Sequence, residues 1–158
     1  LKTRQALNGM VMELAGSLAM SEFAQLHVAH AWEVIGESAL RHGAFIRLPE
    51  DEVNVYVNQV FQHNAQLLDT LMKEVSAKLS QDVIDYIKPQ LHMPKGAARK
   101  VIPELAKELQ VDCIVMGTVA RTGVPGLFMG NTAETILDQL ECSVLAIKPP
   151  GFVTPVTL

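Results

Sequence analysis

The sequence has little of what marks secreted, metal-binding or membrane-spanning proteins. Its 158 residues include two cysteines, Cys113 and Cys142, each inside an apolar segment, which gives no metal or redox motif and suits a reducing cytoplasm. No apolar run approaches the roughly 20 residues of a membrane span. Residues 1–20 have the pattern of an amphipathic helix rather than of a secretory leader. A net charge of −4 argues against a dedicated nucleic-acid-binding protein.

Apolar residues make up 49% of the chain and charged residues 19%, so we expect one globular domain. Residues 35–50, which include Gly36, Gly43 and Pro49, indicate a long loop, and Pro89 indicates that its strand lies at a sheet edge. Helical and strand-like periodicities otherwise alternate, which predicts an α/β fold with a parallel sheet covered by helices. The predicted helices cover residues 3–20, 50–79, 97–109 and 131–140, and the predicted strands cover 24–32, 86–93, 111–116 and 143–147.

A glycine-rich loop between the third predicted strand and the last predicted helix is the strongest functional signal. Gly117 ends the strand, Gly130 precedes the helix, and Gly123 and Gly126 lie between them. Glycines let main-chain N–H groups converge on a phosphate, and the start of a helix adds unpaired N–H groups with a partial positive charge. Asn131 fits the cap of that helix. The loop therefore predicts a phosphate site, although the same glycines fit a tight turn with nothing bound, and both interpretations stay open.

The spacing within this loop resembles a known pattern. The chain reads Gly117-Thr118-Val119-Ala120, then nine residues from Arg121 to Met129, then Gly130-Asn131-Thr132. This resembles the universal stress protein superfamily, whose nucleotide-binding members have Gly-x-x-Gly, nine residues and Gly-Ser/Thr. Leu26-His27-Val28, Asp112 to Gly117 and Val144 to Pro149 resemble the family's second, fourth and fifth strands. The ending from Lys148 to Val156 most resembles the C-terminal domain of the tandem, E-type members.

The resemblance implies a Rossmann-like (adenine nucleotide alpha hydrolase-like) fold. Its five-stranded parallel sheet has the order 3-2-1-4-5, with helices on both faces. The family's first strand, which is central and carries an aspartate for the ribose hydroxyls, would lie before Leu1. Without it the sheet has two rows of unpaired main-chain groups, each costing roughly 1–3 kcal/mol if buried. We therefore expect the natural protein to continue upstream, with residues 1–158 as one stress protein domain and the second of two in tandem.

The resemblance also implies a site for ATP with Mg, or for another phosphate-bearing small molecule. Val28 would line the adenine pocket, and the loop and the last helix would hold the sugar and the phosphates. Two residues depart from the family pattern: Ala120 replaces a glycine, and Asn131 replaces Ser or Thr and so lacks the hydroxyl. The implied nucleotide-binding residues are Val28, Met116, Gly117, Val119, Ala120, Arg121, Gly130, Asn131 and Thr132.

Other residues show no pattern of catalysis or metal binding. His27 and His30 lie three apart on a predicted strand and so point to opposite faces, and His63 and His92 look isolated. We find no positioned base or nucleophile, so strong catalysis is not expected. The predicted last strand is apolar on both faces, and an uncovered apolar edge favours association. We expect a homodimer, or an intramolecular pseudo-dimer, through the edge of strand 143–148.

Three functions follow from these expectations. The first is a cytoplasmic stress-response protein that binds a nucleotide without strong catalysis. The second is a dimeric or tandem scaffold of the same fold that binds no nucleotide, and the third is a slow ATPase. The nine-residue spacing of the family pattern, with Gly117 and Gly130, favours the first, whereas Ala120 and Asn131 favour the second.

Overall fold

The computed structural model describes residues 2–43, 47–78, 81–118 and 131–149, and these form alternating helices and parallel strands. The order of elements confirms the predicted α/β pattern. The strands are β1 (His27–Ala29), β2 (Gln90–His92), β3 (Cys113–Gly117) and β4 (Ser143–Ile147). The helices are α1 (Lys2–Ser21), α2 (Glu37–His42), α3 (Glu50–Lys78), α4 (Gln81–Ile87), α5 (Ala98–Glu108) and α6 (Asn131–Leu137).

The structure corrects the predicted long loop over residues 35–50, because α2 lies within it. Gly36 enters this helix with a φ of 80°, a left-handed conformation that glycine adopts without strain. Arg41 pairs with Glu37 one turn earlier at 3.0 Å. The helix ends where the N–H of Gly43 donates to the carbonyl of Ala39 at 2.8 Å. A short helix between two glycines has too few residues for its periodicity to be recognised in the sequence.

The region before β2 also differs from the prediction. Residues 81–87 form α4, and the strand predicted over 86–93 is shortened to Gln90–His92. Pro89 therefore precedes the strand instead of lying inside it, where its missing N–H interrupts no ladder bond. Among the described strands, β2 pairs with β1 alone, so the predicted edge position of this strand agrees with the structure.

The four described strands form two separate parallel pairs. In the first pair Val28 lies opposite Leu91, and in the second Val115 lies opposite Leu145. Neither pair is hydrogen-bonded to the other within the described part of the chain. Two such pairs are what a sheet of order 3-2-1-4-5 contains when its central strand is left out.

Helix α3 packs against the first strand pair and supplies much of the core. Val53 and Val75 on its inner face are completely or almost completely buried. Leu68 and Val75 form one cluster with Met12 of α1 and Val28 of β1. The helix predicted over residues 50–79 is confirmed, and it includes the valine-rich stretch 53–57, where burial of one face outweighs the strand propensity of valine.

Helix α5 contains a proline at a buried interior position. Pro103 has no N–H, so the carbonyl of Arg99, four residues earlier, loses its helical partner. The side-chain amide of Gln139, just beyond α6, donates to that carbonyl at 3.1 Å. A second bond from the same amide nitrogen, to the carbonyl of Thr135 at 2.7 Å, holds the side chain in place. The carbonyl that Pro103 leaves without a helical partner thus accepts a hydrogen bond that connects α5 to the end of α6.

Candidate functional site

The predicted site lies at the carboxyl edge of the strands. Ligands of open parallel α/β sheets bind outside this edge, where the strand order reverses. Here β3 ends at Gly117, and α6 begins at Asn131 after the glycine-rich loop. Of the predicted site residues, Val28, Met116, Gly117, Asn131 and Thr132 are described. The remaining four, Val119, Ala120, Arg121 and Gly130, lie outside the described residues.

Gly117 is placed against helix α1. A Cβ atom built on this glycine would lie 2.8 Å from Cδ2 of Leu7, closer than real Cβ contacts. Leu7 is itself buried, with 3% of its surface exposed. The missing side chain thus lets α1 approach β3 closely, so packing alone gives a sufficient reason for glycine at this position.

Thr118 follows Gly117 and is fully buried. Its N–H donates to the carbonyl of Ile147 at 2.8 Å, and its hydroxyl donates to the same oxygen at 3.3 Å. Because this N–H already has a partner in β4, it is not free to bind an anion. Any convergence of amides must therefore come from the loop and from α6.

The N-terminus of α6 presents exposed residues. Asn131 is the first residue of the helix rather than the residue before it, and both Asn131 and Thr132 are exposed. The hydroxyl of Thr135 donates to the carbonyl of Asn131 at 2.8 Å. The N–H groups of a first helical turn have no partner within the helix, so those of Asn131 and Thr132 can donate to a ligand.

Val28 and Met116 occupy different environments. Val28 is buried with 8% of its surface exposed, and its side chain belongs to the core cluster beneath β1. Met116 is half-buried and lies opposite Ala146 in the β3–β4 register. An adenine contact by Val28 therefore stays a prediction.

A pair of histidines links β1 to β2, which the sequence did not reveal. Nδ1 of His27 lies 2.9 Å from Nε2 of His92, so one ring donates its N–H to the other. The interpretation of His92 as isolated is therefore wrong. Burial, followed by the charge on His92, lowers the pKa of His27 from its usual value of 6.5. The parallel register, in which His92 lies opposite Ala29, brings the two rings to one face.

His30 points away from this pair, as its spacing from His27 predicts. Its Nε2 lies 2.9 Å from Oδ1 of Asn64 on α3. The amide nitrogen of Asn64 donates to the carbonyl of Val60 at 2.8 Å, so its oxygen faces the imidazole. Nε2 of His30 is therefore the donor in this bond. His30 fixes β1 to α3 and is not available as a metal ligand partner of His27.

A polar cluster follows β1 and β2 at the same carboxyl edge. Lys95 Nζ lies 2.7 Å from one carboxylate oxygen of Glu37 and 5.6 Å from the ring centre of Trp32. Arg41 reaches Glu37 and also donates to Asn54 at 2.8 Å. The hydrogen bond from Lys95 lowers the pKa of Glu37 most, and burial opposes this change. Lys95 and Arg41 thus act as structural cross-links of this edge.

The two cysteines are free thiols at the start of β3 and just before β4. Burial raises the pKa of Cys142, and the neighbouring Cys113 adds to this effect. A raised pKa keeps the sulfur in its unreactive protonated form. Cys142 therefore does not have the character of a nucleophile.

A cleft separates the two strand pairs. Its volume is about 780 Å³, and residues of β1 and β3 form two of its sides. Helices α1 and α5 close the other two sides with mostly apolar residues, among them Leu18 and Leu105. The cleft is within the size range of small-molecule pockets, but it lies between the strand edges, below the carboxyl edge where the loop begins.

Comparison with known proteins identifies the family of this arrangement. The model of the Universal stress protein family matches residues 10–148. Universal stress protein E of Salmonella typhi is 42% identical over 113 residues, which cover 72% of this chain and 33% of the relative. The match therefore spans about a third of the length of this curated relative.

Solved structures agree on the fold. Universal stress protein UspA from Lactobacillus plantarum gives a TM-score of 0.63 at 18% identity, over 87% of both chains. A universal stress protein in complex with cAMP gives a TM-score of 0.54 at 17% identity, over 93% of this chain and 88% of the other. The Rossmann-like parallel α/β architecture is thereby confirmed. None of the described helices is both long and apolar enough to cross a membrane.

Proposed function

The chain belongs to the universal stress protein family, and we propose that it is a cytoplasmic stress-response protein that binds an adenine nucleotide without strong catalysis. The observation that carries this proposal is the position of the glycine-rich loop. It connects the carboxyl end of β3 to the exposed first turn of α6, at the edge where α/β sheets bind ligands. The fold similarity to a universal stress protein in complex with cAMP supports the same class of ligand.

The proposed contacts follow from which amides have no hydrogen-bond partner among the residues that the structure describes. The N–H of Thr118 is bonded to Ile147, so the phosphates would contact the N–H groups of Asn131 and Thr132. Gly130 and the loop residues Val119, Ala120 and Arg121 would complete the phosphate site, with Mg neutralising the charge of ATP. Met116 and Gly117 would flank the sugar, and Val28 would contact the adenine.

We also propose that two domains associate through β4. This strand pairs with β3 on one side, and on it Leu145 is 41% exposed. Val144 and Ala146 keep the other face partly accessible, so both faces of the strand present apolar surface. A second copy or a tandem domain would cover it. Light scattering of the natural full-length protein across micromolar concentrations tests this, and a strictly monomeric single-domain protein contradicts it.

The nucleotide proposal is tested on the natural full-length protein by calorimetric titration with Mg-ATP and with cAMP. Asn131→Ser restores the hydroxyl of the family pattern. One added hydrogen bond to a charged phosphate is worth roughly 1.5–3 kcal/mol, so we expect at least about tenfold tighter binding. Asn8→Ser on α1 is the matched control, since Asn8 is also exposed on a helix and should leave binding unchanged.

Two further readouts separate the alternative functions. Mass spectrometry after denaturation identifies any small molecule that copurifies with the protein. Phosphate release from Mg-ATP should stay at background, since no base or nucleophile is positioned among the described residues. Absence of binding heat and of a copurified nucleotide would contradict the proposal and favour the alternative function, a scaffold that binds no nucleotide. Phosphate release that is lost with changes in the loop would instead support a slow ATPase.

A further inference from the structure

The histidine pair that links β1 to β2 has no part in the proposed nucleotide site. In the parallel register His27 lies opposite Gln90, and His92 lies opposite Ala29, so the two histidines are diagonal neighbours. Alternate residues of a strand share a face, and both imidazoles therefore lie on the same face of the strand pair. This placement brings together two side chains that are common metal ligands.

The two rings have nearly the separation that a single zinc ion requires. Their centres lie 5.1 Å apart, and their planes are tilted by 35°. Zinc binds imidazole nitrogen at about 2.0–2.1 Å with tetrahedral angles, which puts the centres of two ligating rings about 5.2 Å apart. The ring centres of His27 and His92 thus need to move little for both rings to bind one ion.

The facing nitrogens need only a small change to reach the same geometry. Nδ1 of His27 and Nε2 of His92 are 2.9 Å apart, whereas two nitrogens on one tetrahedral zinc ion are about 3.4 Å apart. A pivot of each ring by about 20° about its own centre closes this difference. The second side-chain torsion of histidine has a broad energy minimum, so this pivot costs little.

Metal binding at the pair needs no loss of a proton from either ring. One of the two facing nitrogens carries the shared proton, and the other offers a lone pair. When that proton moves to the outer nitrogen of its own ring, both facing nitrogens present lone pairs and each imidazole keeps one N–H. Ligation requires neutral imidazole. Burial, followed by the charge on His92, lowers the pKa of His27 from 6.5, so this ring is neutral at pH 7.

The surroundings of the pair leave room for water on the ion. Both rings are half-buried, so solvent reaches one side of them. In the part of the chain that the structure describes, no third His, Cys, Asp or Glu completes a ligand group with them. Closed sites with four protein ligands are structural, whereas sites with open positions hold exchangeable water. An ion held by two rings would therefore bind reversibly.

We propose that His27 and His92 together bind one divalent metal ion of the zinc class, with water at its remaining positions. The ion would cross-link β1 and β2 beside two main-chain bonds of 2.9 Å, from the N–H of Gln90 to Leu26 and from the N–H of His30 to His92. The strands are thus already aligned before the metal binds. The glycine-rich loop and the nucleotide take no part, so this site is independent of the proposed function.

Calorimetric titration of the natural full-length protein with Zn²⁺ at pH 7.5 tests the proposal. Loss of even an outer partner of a metal ligand weakens binding about 10–100-fold, so His27→Gln and His92→Gln should each weaken one bound equivalent at least about tenfold. His63→Gln is the matched control, because His63 is exposed on α3 and should leave that equivalent unchanged. Equal Zn²⁺ binding by the unchanged protein and by both strand variants would overturn the proposal.

A measurement on the unchanged protein covers the case in which a variant folds poorly. Zn²⁺ should shift the imidazole NMR resonances of His27 and His92 together, with one half-saturation concentration. The resonances of His30 should stay in place, because its Nε2 lies 2.9 Å from Oδ1 of Asn64 and is already bonded. Mg²⁺ prefers oxygen ligands and should shift neither ring of the pair. Zn²⁺ shifts that are confined to other histidines would overturn the proposal.

Discussion

The two strand pairs of this domain are held together in different ways. Side chains cross-link the β1–β2 pair: His27 to His92, Trp32 to the carbonyl of Met93, and Lys95 to Glu37. The β3–β4 pair depends on main-chain pairing over five residues and on the close approach of α1 at Gly117. The stability of the first pair should therefore depend on core volume and on pH, whereas that of the second pair should depend on added side-chain volume.

The largest expected effect is in the core that backs the β1–β2 pair. Leu68→Ala empties space in the cluster of Met12, Val28 and Val75 and should lower the free energy of unfolding by about 2–5 kcal/mol. The neighbouring Leu67 is 51% exposed, so Leu67→Ala is the matched control and should change stability by less than about 1 kcal/mol. Urea denaturation monitored by circular dichroism measures both. Equal losses for the two variants would contradict the assigned core.

A smaller effect is expected from added volume at the β3–β4 pair. Gly117→Ala places a Cβ 2.8 Å from Leu7 and should cost about 1–3 kcal/mol of unfolding free energy. Gly9→Ala is the control, because there the nearest atom is the flexible Lys78 Nζ at 3.3 Å.

A double-mutant cycle in the same denaturation assay attributes the Gly117 effect to its contact with Leu7. Leu7→Ala removes the contacting side chain, so the double variant should lose less stability than the sum of the single variants. Additive losses of stability would show that the effect of alanine at position 117 does not arise from its contact with Leu7.

The smallest expected effect is a pH dependence of the β1–β2 pair. The pKa of His27 is lower in the folded protein than its usual 6.5, so the unfolded chain binds more protons between these two values. The resulting stability is fully present above pH 6.5 and declines as the pH falls through this window to the folded-state pKa. Denaturation midpoints at pH 5.5 and 7.5 measure the decline, and Glu37 titrates below this range because its pKa is lowered from 4.5.

His92→Gln is the control for the histidine pair. It removes the neighbouring charge and should make the stability profile between pH 5.5 and 7.5 flatter than that of the unchanged protein. An unchanged profile would assign the pH dependence to the burial of His27 alone.

Much of the fold could be predicted because its signals are local. The periodicity of α3, the apolar runs of β3 and β4 and the glycine at the end of β3 each follow from short stretches of sequence. The predictions failed for α2, which is too short to show a helical period, and for residues 86–93, where the end of α4 and β2 were predicted as one strand. The candidate site was recognised through its glycine spacing, but the bonding of Thr118 to Ile147 was not.

The sequence by itself determined the alternation of the four strands with the longer helices, the glycine-rich loop and the family, because all three depend on residue types at fixed separations along the chain. Only the tertiary structure decided that His27 meets His92, that Gly117 meets Leu7 and that the edges of β1 and β3 face each other across a cleft. These contacts join residues far apart in sequence. Strand register and helix approach determine them, and neither quantity is encoded by any one segment alone.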